Sequence, residues 1–316
     1  MPINVTSDIV HLSLGEFSSA SVALKGATLF SYKQNSLERL FTSSTSSTLL
    51  SDPLPIRGGV PICWPIFGPP PSTQDQENGL FSKLKQHGFA RISKWDFLSS
   101  ESECLGTKGV KAVFKLESNS TTITSLFSLP FLLKYTVELL PTCLNLSLSV
   151  HSPSDSIAPL PFQALLHCYF LLPQSISPSN VLITPLENLS YLDKVSDDPK
   201  EEKIETRKVV NVDGPGGEVD RVYLRSSDKL KIYYENQPGS IELRKKNLAD
   251  VVLWNPGKEK AKLIKDMESN GETKYVCLEP GQTSSWVNLE PGQTWKGSLE
   301  IFFNDNDNVN VNENNN

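Results

Sequence analysis

The string Leu-Glu-Pro-Gly-Gln-Thr occurs twice, at residues 278–283 and 289–294, and each copy sets a glutamate before Pro-Gly. A glutamate becomes an effective general base when it is taken out of water, because desolvation raises its pKa. The two copies differ in their surroundings. Glu279 closes the run Tyr275, Val276, Cys277, Leu278, all apolar or aromatic, so partial desolvation is expected there. Glu290 lies in "WVNLEPGQTW", between two short strand patterns. Proline presets one turn dihedral and glycine permits positive φ, so Glu290 reads as a solvated hairpin-turn residue. Context therefore favours Glu279.

A base needs a proton donor beside it, and histidine is the common one near neutral pH. The chain has four: His11, His87, His151 and His167. His167 stands alone in the apolar run "FQALLHCYFLLP". Such a histidine is either a hydrogen-bonded core residue or a general acid. His151 precedes Ser-Pro and reads as a strand end. Anion chemistry has its own candidates. Arg57 stands directly before Gly58-Gly59, and "KQHGFARIS" supplies Gln86, His87 and Arg91. Arginine grips phosphate or carboxylate oxygens in a two-pronged fork, and glycine lets backbone come close to a ligand. On spacing alone, an arginine beside Gly-Gly is more often a surface or salt-bridged residue.

These side chains need a scaffold, and the chain's dominant period is two. In "YTVELLPTCLNLSLSV", Leu144, Leu146, Leu148 and Val150 alternate with Asn145, Ser147 and Ser149, as a half-buried strand requires. Similar runs recur to the C-terminus with Gly, Pro, Asn and Ser between them, and no long amphipathic helix stands out. The expectation is an all-β fold, a large antiparallel β-sandwich forming a single domain over residues 1–303. Two polar loops are expected, at 68–80 and 193–220. The low-complexity asparagine tail, 304–316, is expected to be disordered.

Bulk composition narrows the function. With 30 Lys and Arg against 36 Asp and Glu, the net charge is 30 − 36 = −6. A nucleic-acid partner is not expected, since that affinity rests on basic patches. No window approaches the ~18 apolar residues of a membrane span, and the N-terminus lacks a signal-peptide pattern. Five widely spaced cysteines without a Cys-x-x-Cys fit reduced thiols in a cytoplasmic protein. The sequons at Asn4, Asn119, Asn145 and Asn188 are then coincidental.

The segments "ERLFTS" (38–43), "IRGGVPICWPIFG" (56–68), "QHGFAR" (86–91), "LHCYF" (166–170), "EVDRVYL" (218–224), "DVVLWNPG" (250–257) and "VCLEPGQ" (276–282) run in order along the chain. Together they resemble the glucose-6-phosphate 1-epimerases, the hexose-phosphate mutarotases of the aldose 1-epimerase superfamily. The Arg-Gly-Gly-x-Pro and Gln-His-Gly-Phe-Ala-Arg pair marks the phosphate-sugar branch. The resemblance implies a galactose-mutarotase-like β-supersandwich with an open sugar groove. It implies His167 and Glu279 as catalytic residues and Arg57, Gln86, Arg91 and Asp220 as substrate-binding residues. It implies a hexose 6-phosphate as substrate, a monomer, and neither metal nor cofactor. Two positions depart from the pattern: Cys168 replaces the usual threonine, and Gly257 the usual aromatic.

The implied chemistry is anomer exchange. Glu279 would take the proton of the anomeric hydroxyl while a protonated His167, on the opposite side of the sugar, gives one to the ring oxygen. The ring opens, rotates and recloses on its other face. Two other functions use the same residues: a non-catalytic sugar-phosphate binder on the same fold, and a glycoside hydrolase working with Asp220 and Glu279. The binder has no need of an acid and a base together. The hydrolase needs two carboxylates at a set separation.

Overall fold

The computed structural model describes residues 2–71, 79–104 and 106–307. Among them the protein is built almost wholly of antiparallel strands, and its two α-helices, Thr121–Leu126 and Gly257–Ala261, are short. A five-stranded meander (residues 3–38) starts the chain. A second, nine-stranded sheet is centred on Gln237–Lys246, Thr294–Asn304, Leu144–His151, Leu132–Leu139 and Val110–Glu117. A third, of eight strands, runs Glu202–Ile204, Ser190–Asp193, Glu218–Tyr223, Asp250–Pro256, Tyr275–Leu289, Leu160–Leu166, Ile62–Cys63, with Tyr169–Leu171 also paired to Tyr275–Leu289.

The period of two sorts the side chains. Leu144, Leu146, Leu148 and Val150 all turn into the core, where they join Tyr135, Val137, Leu299 and Ile301. The third sheet is buried on both faces. Val251, Leu253, Val276 and Leu278 face the main core. The alternate residues Val252, Trp254, Tyr275 and Cys277 pack in two smaller clusters on the other face. Glu279, two residues beyond Cys277, falls on that second face. The strand alternation thus delivers a carboxylate to a wall that is otherwise apolar.

Pro-Gly is a turn signal in both copies, yet Pro280-Gly281 makes no turn. Tyr275–Leu289 is one strand of 15 residues that runs straight through both. It lies between Asp250–Pro256, where Val251 is opposite Pro280, and Leu160–Leu166, where Leu165 is opposite Gly281. A Cβ on Gly281 would meet the Cβ of Leu165 at 2.9 Å. Here glycine serves close sheet packing, not a bend. The second copy does turn: Gln293 N–H donates to the Glu290 carbonyl at 3.0 Å, and Glu290 is exposed.

The charged stretch read as a loop from 193 to 220 contains the short strand Glu202–Ile204. It is further tied by Arg207 to Glu205 and Asp213. Asp220 belongs to the strand Glu218–Tyr223. At the C-terminus Asn304 ends a strand opposite Ser240, and Asp305 pairs with Arg39 at 2.7 Å. Residues 308–316 of the asparagine tail and 72–78 of the proline-rich loop lie outside the described residues. None of the helices among the described residues is long and apolar enough to cross a membrane.

Candidate active site

Leu165 pairs with Gly281 and Tyr169 with Cys277, which places the break between the strands Leu160–Leu166 and Tyr169–Leu171 opposite Glu279. His167 sits in that break. Its backbone N–H donates to Pro61 O at 3.0 Å, and Tyr169 N–H to Gly59 O at 2.9 Å. These two bonds stitch the Arg-Gly-Gly-x-Pro segment beside the histidine. The close approach depends on glycine: Gly58 and Gly59 have φ of +124° and +65°, and a Cβ on either would strike Phe41 O or Leu29 O within 2.3 Å.

His167 Nδ1 and Glu279 Oε1 lie 3.1 Å apart, with the two side chains 9% and 1% exposed. Neither atom has a hydrogen-bond partner, because their mutual approach is not aligned as a hydrogen bond. Leaving such buried groups unsatisfied costs roughly 1–3 kcal/mol each, which a ligand hydroxyl can offset. The imidazole is stacked parallel to the Tyr169 ring at 4.7 Å, with Trp254 edge-on at 5.6 Å and His87 edge-on at 6.0 Å. Its plane is therefore fixed on three sides. The expected arrangement on opposite sides of a sugar is not what the pair presents: acid and base stand together on one wall, since the break that carries His167 lies opposite Glu279.

Burial is the first cause of the site's electrostatics. It pushes the Glu279 carboxyl well above its ordinary value, with Asp220 adding to the rise and Arg91 opposing it. It also pulls His167 well below its ordinary value, helped by His87, Arg91 and Arg57. Both shifts favour the uncharged forms of this pair. A protonated carboxyl and a neutral imidazole carry the same number of protons as a carboxylate and an imidazolium, so the pair still contains one acid and one base.

Arg57 donates from Nε to Asp266 at 3.2 Å and from an amino nitrogen to the Tyr169 hydroxyl at 3.3 Å. Arg91 has no ion pair among the described residues; its guanidinium donates to the Gln86 carbonyl at 2.9 Å. Burial, and then Arg57, draw its pKa below the usual guanidinium value. The two cations act on each other, and with no ion pair to Arg91 among the described residues their charge is suited to an anion. The exposed Gln86 carboxamide lies 3.2 Å from His87 Nε2. His87 Nδ1 accepts from Gly68 N–H at 3.2 Å, so the neutral ring carries its proton on Nε2. Asp220 is opposite Trp254 on the adjacent strand, and burial lifts its carboxyl to about 6 against the pull of Lys260 and Lys194.

All six residues singled out from the sequence thus come to one region, linked by contact, strand pairing or electrostatic coupling. Trp64, seven residues after Arg57, lies in the core against Phe89, Phe127, Phe131 and Phe162. Phe67 is at the site, 5.3 Å from the His87 ring. Sequence reasoning missed Tyr169, Trp254 and Asp266. Tyr169 was accessible to it, being two residues after His167 on a strand pattern. Cys168 turns into the main core, away from the histidine. At Gly257 a Cβ would meet Glu218 N at 2.5 Å, so the backbone itself occupies the space an aromatic would need.

His167 Nδ1, Cys277 Sγ and a Glu279 oxygen lie within 4.8 Å of one another, a donor set of metal-ligand types. Its setting does not suit a resident cation. Arg57 and Arg91 act on the same imidazole, and burial and Glu279 push the Cys277 thiol well above its ordinary value, away from the thiolate that binds metal.

A family profile described as "Aldose 1-epimerase" matches residues 8–301. A protein of Cenchrus ciliaris named "Putative glucose-6-phosphate 1-epimerase" is 28% identical over 89% of this chain and 80% of its own length. One of the same name from Salmonella typhimurium is 30% identical over 82% of this chain and 78% of its own length. Among solved structures, a "putative mutarotase" from Salmonella typhimurium superposes with a TM-score of 0.80 at 25% identity, covering 96% of this chain and 93% of that one. An aldose epimerase homologue from C. elegans shares the fold at a TM-score of 0.67 and 13% identity, over 96% of this chain and 100% of that one.

Proposed function

We propose, for a chain that belongs to the aldose 1-epimerase family, that it interconverts the α and β anomers of hexose 6-phosphates, glucose 6-phosphate first among them. The observation that carries this reading is the His167–Glu279 pair: an acid and a base in contact, buried, and each with an unmet hydrogen bond. The anomeric hydroxyl and the ring oxygen share one carbon, so a neighbouring acid and base on one wall can serve both. Glu279 takes the hydroxyl proton and His167 protonates the ring oxygen; after rotation and reclosure the two roles are reversed. Each transfer contributes about 10²- to 10⁴-fold. Arg57 and Arg91 hold the phosphate, with Gln86 beside them, and Asp220 accepts from sugar hydroxyls. Fixing the remote phosphate positions the reacting carbon.

The five free cysteines suit the reducing cytoplasm. The test is anomer exchange of glucose 6-phosphate by magnetisation-exchange NMR, with titration of the same sugar to separate catalysis from binding alone.

A pH dependence follows from Asp220. A carboxylate accepts hydrogen bonds from sugar hydroxyls; its protonated form accepts fewer. With Asp220 lifted to about 6, kcat/KM falls as pH drops through that value. The substrate phosphate takes up its own proton near pH 6, so Asp220→Asn is the control. The variant is expected to be weaker at pH 8, with a shallower decline on acidification than wild type. An unchanged profile would remove Asp220 from the binding role.

A further inference from the structure

The two arginines sit closer to the chemistry than a handle for the far end of a substrate requires. Arg57 hydrogen-bonds the Tyr169 hydroxyl, and the Tyr169 ring is stacked on His167. Arg91 hydrogen-bonds the Gln86 carbonyl, and the next residue, His87, has its ring edge-on to His167. Each cation is thus one side chain removed from the imidazole. The other groups around His167 are Glu279 in contact and Tyr169, Trp254 and His87 as rings, with Cys277 close by and Asp220 acting on Glu279. Asp266 pairs with Arg57, whereas Arg91 has no ion pair among the described residues and feels Asp266 only at a distance.

Like charges in a dry setting oppose each other strongly. The positive corner therefore disfavours an imidazolium as long as it is uncompensated. A phosphate brings about −1.5 to −2 charges at pH 7, enough to cancel most of the two guanidinium charges. We propose that the phosphate of the substrate switches the site on as well as holding the sugar, and that a free tetrahedral oxyanion seated at Arg57 and Arg91 does the same for a sugar that carries none. The effects on the pair are unequal in the helpful direction. Burial leads at both groups; after it His87 and then both arginines depress His167, whereas of the two arginines Arg91 alone is a cause at Glu279, where it follows Asp220. Cancelling the arginines thus favours the proton on the imidazole, which is the form that donates to the ring oxygen. The switch also discriminates: a neutral hexose entering the groove meets a pair still held uncharged.

This inference rests on the anomerase reading, and the test separates the two. Anomer exchange of glucose is followed by NMR with increasing phosphite dianion, at constant ionic strength set with chloride, and the protein-free rate at each phosphite concentration is subtracted. The expected result is a saturable rise of ~10-fold or more in the protein-dependent rate, since one pKa unit on His167 changes its charged fraction about tenfold. Arg91→Gln loses that rise. The imidazole ¹⁵N resonance of His167, assigned by its loss in His167→Gln, moves toward imidazolium values as phosphite is added to wild type. Glucose 6-phosphate is run in parallel. If it is accelerated while phosphite leaves glucose at its protein-dependent basal rate, the switch is overturned and the anomerase reading stands. If the folded protein does not accelerate glucose 6-phosphate, both fall.

Discussion

Glu279→Gln lowers the catalysed anomer exchange of glucose 6-phosphate by about 10²- to 10⁴-fold, whereas Glu290→Gln leaves it within about twofold of wild type. The two glutamates share five neighbours in sequence and nothing in environment. One is 1% exposed and against His167; the other is exposed at a turn. Glutamine keeps the shape of the side chain but cannot exchange a proton, so the loss falls on kcat more than on KM. The substitution is expected to leave the fold intact, and calorimetry checks this. The Glu279 carboxyl has its pKa raised in the folded state. The stability it contributes is full below its unfolded value and is lost as pH rises toward the folded one. Glutamine has no charge to bury, so the variant's Tm is expected to match or exceed wild type at pH 8, and the gap to narrow on acidification. A variant that melts well below wild type, or one that keeps its activity, contradicts the role.

Arg91→Gln lowers kcat/KM for glucose 6-phosphate by about 10²-fold or more, in line with roughly 2–5 kcal/mol for removing one partner of a desolvated charged contact. Arg91 is the more informative of the two arginines. Arg57 is also the partner of Asp266, so replacing it leaves a carboxylate 8% exposed without its cation and mixes binding with stability. Among the described residues Arg91 loses a hydrogen bond to a backbone carbonyl and no ion pair. With glucose the same substitution changes the rate in the opposite direction, a modest rise, because one of the charges opposing an imidazolium is gone. Steady-state kinetics on both sugars reads this out. Equal losses on the two would mean that Arg91 shapes the groove and does not bind phosphate.

How far the sequence carried these conclusions differs residue by residue. The distinction between Glu279 and Glu290 was legible, because the apolar run before Glu279 is local. So was the half-buried strand through Leu144–Val150, whose alternation the core reproduces. The passage of the strand through Pro280-Gly281 was not legible. It depends on neighbours 115 to 117 residues away, at Ala164 and Leu165, that a Pro-Gly pair does not announce. The contact between Arg57 and Asp266 spans 209 residues and leaves no local trace. The proton state of the pair was half legible. An apolar context foretells a raised carboxylate, but the depression of His167 needs Arg57, Arg91 and His87 brought together in space.

The central claim is most directly tested by magnetisation-exchange NMR on the wild-type protein, with glucose 6-phosphate and glucose side by side. The account predicts acceleration of anomer exchange for the phosphate ester, far above that for glucose without added oxyanion. Folded protein that binds glucose 6-phosphate but leaves its anomer exchange at the uncatalysed rate would contradict it and leave a sugar-phosphate binder on the same fold.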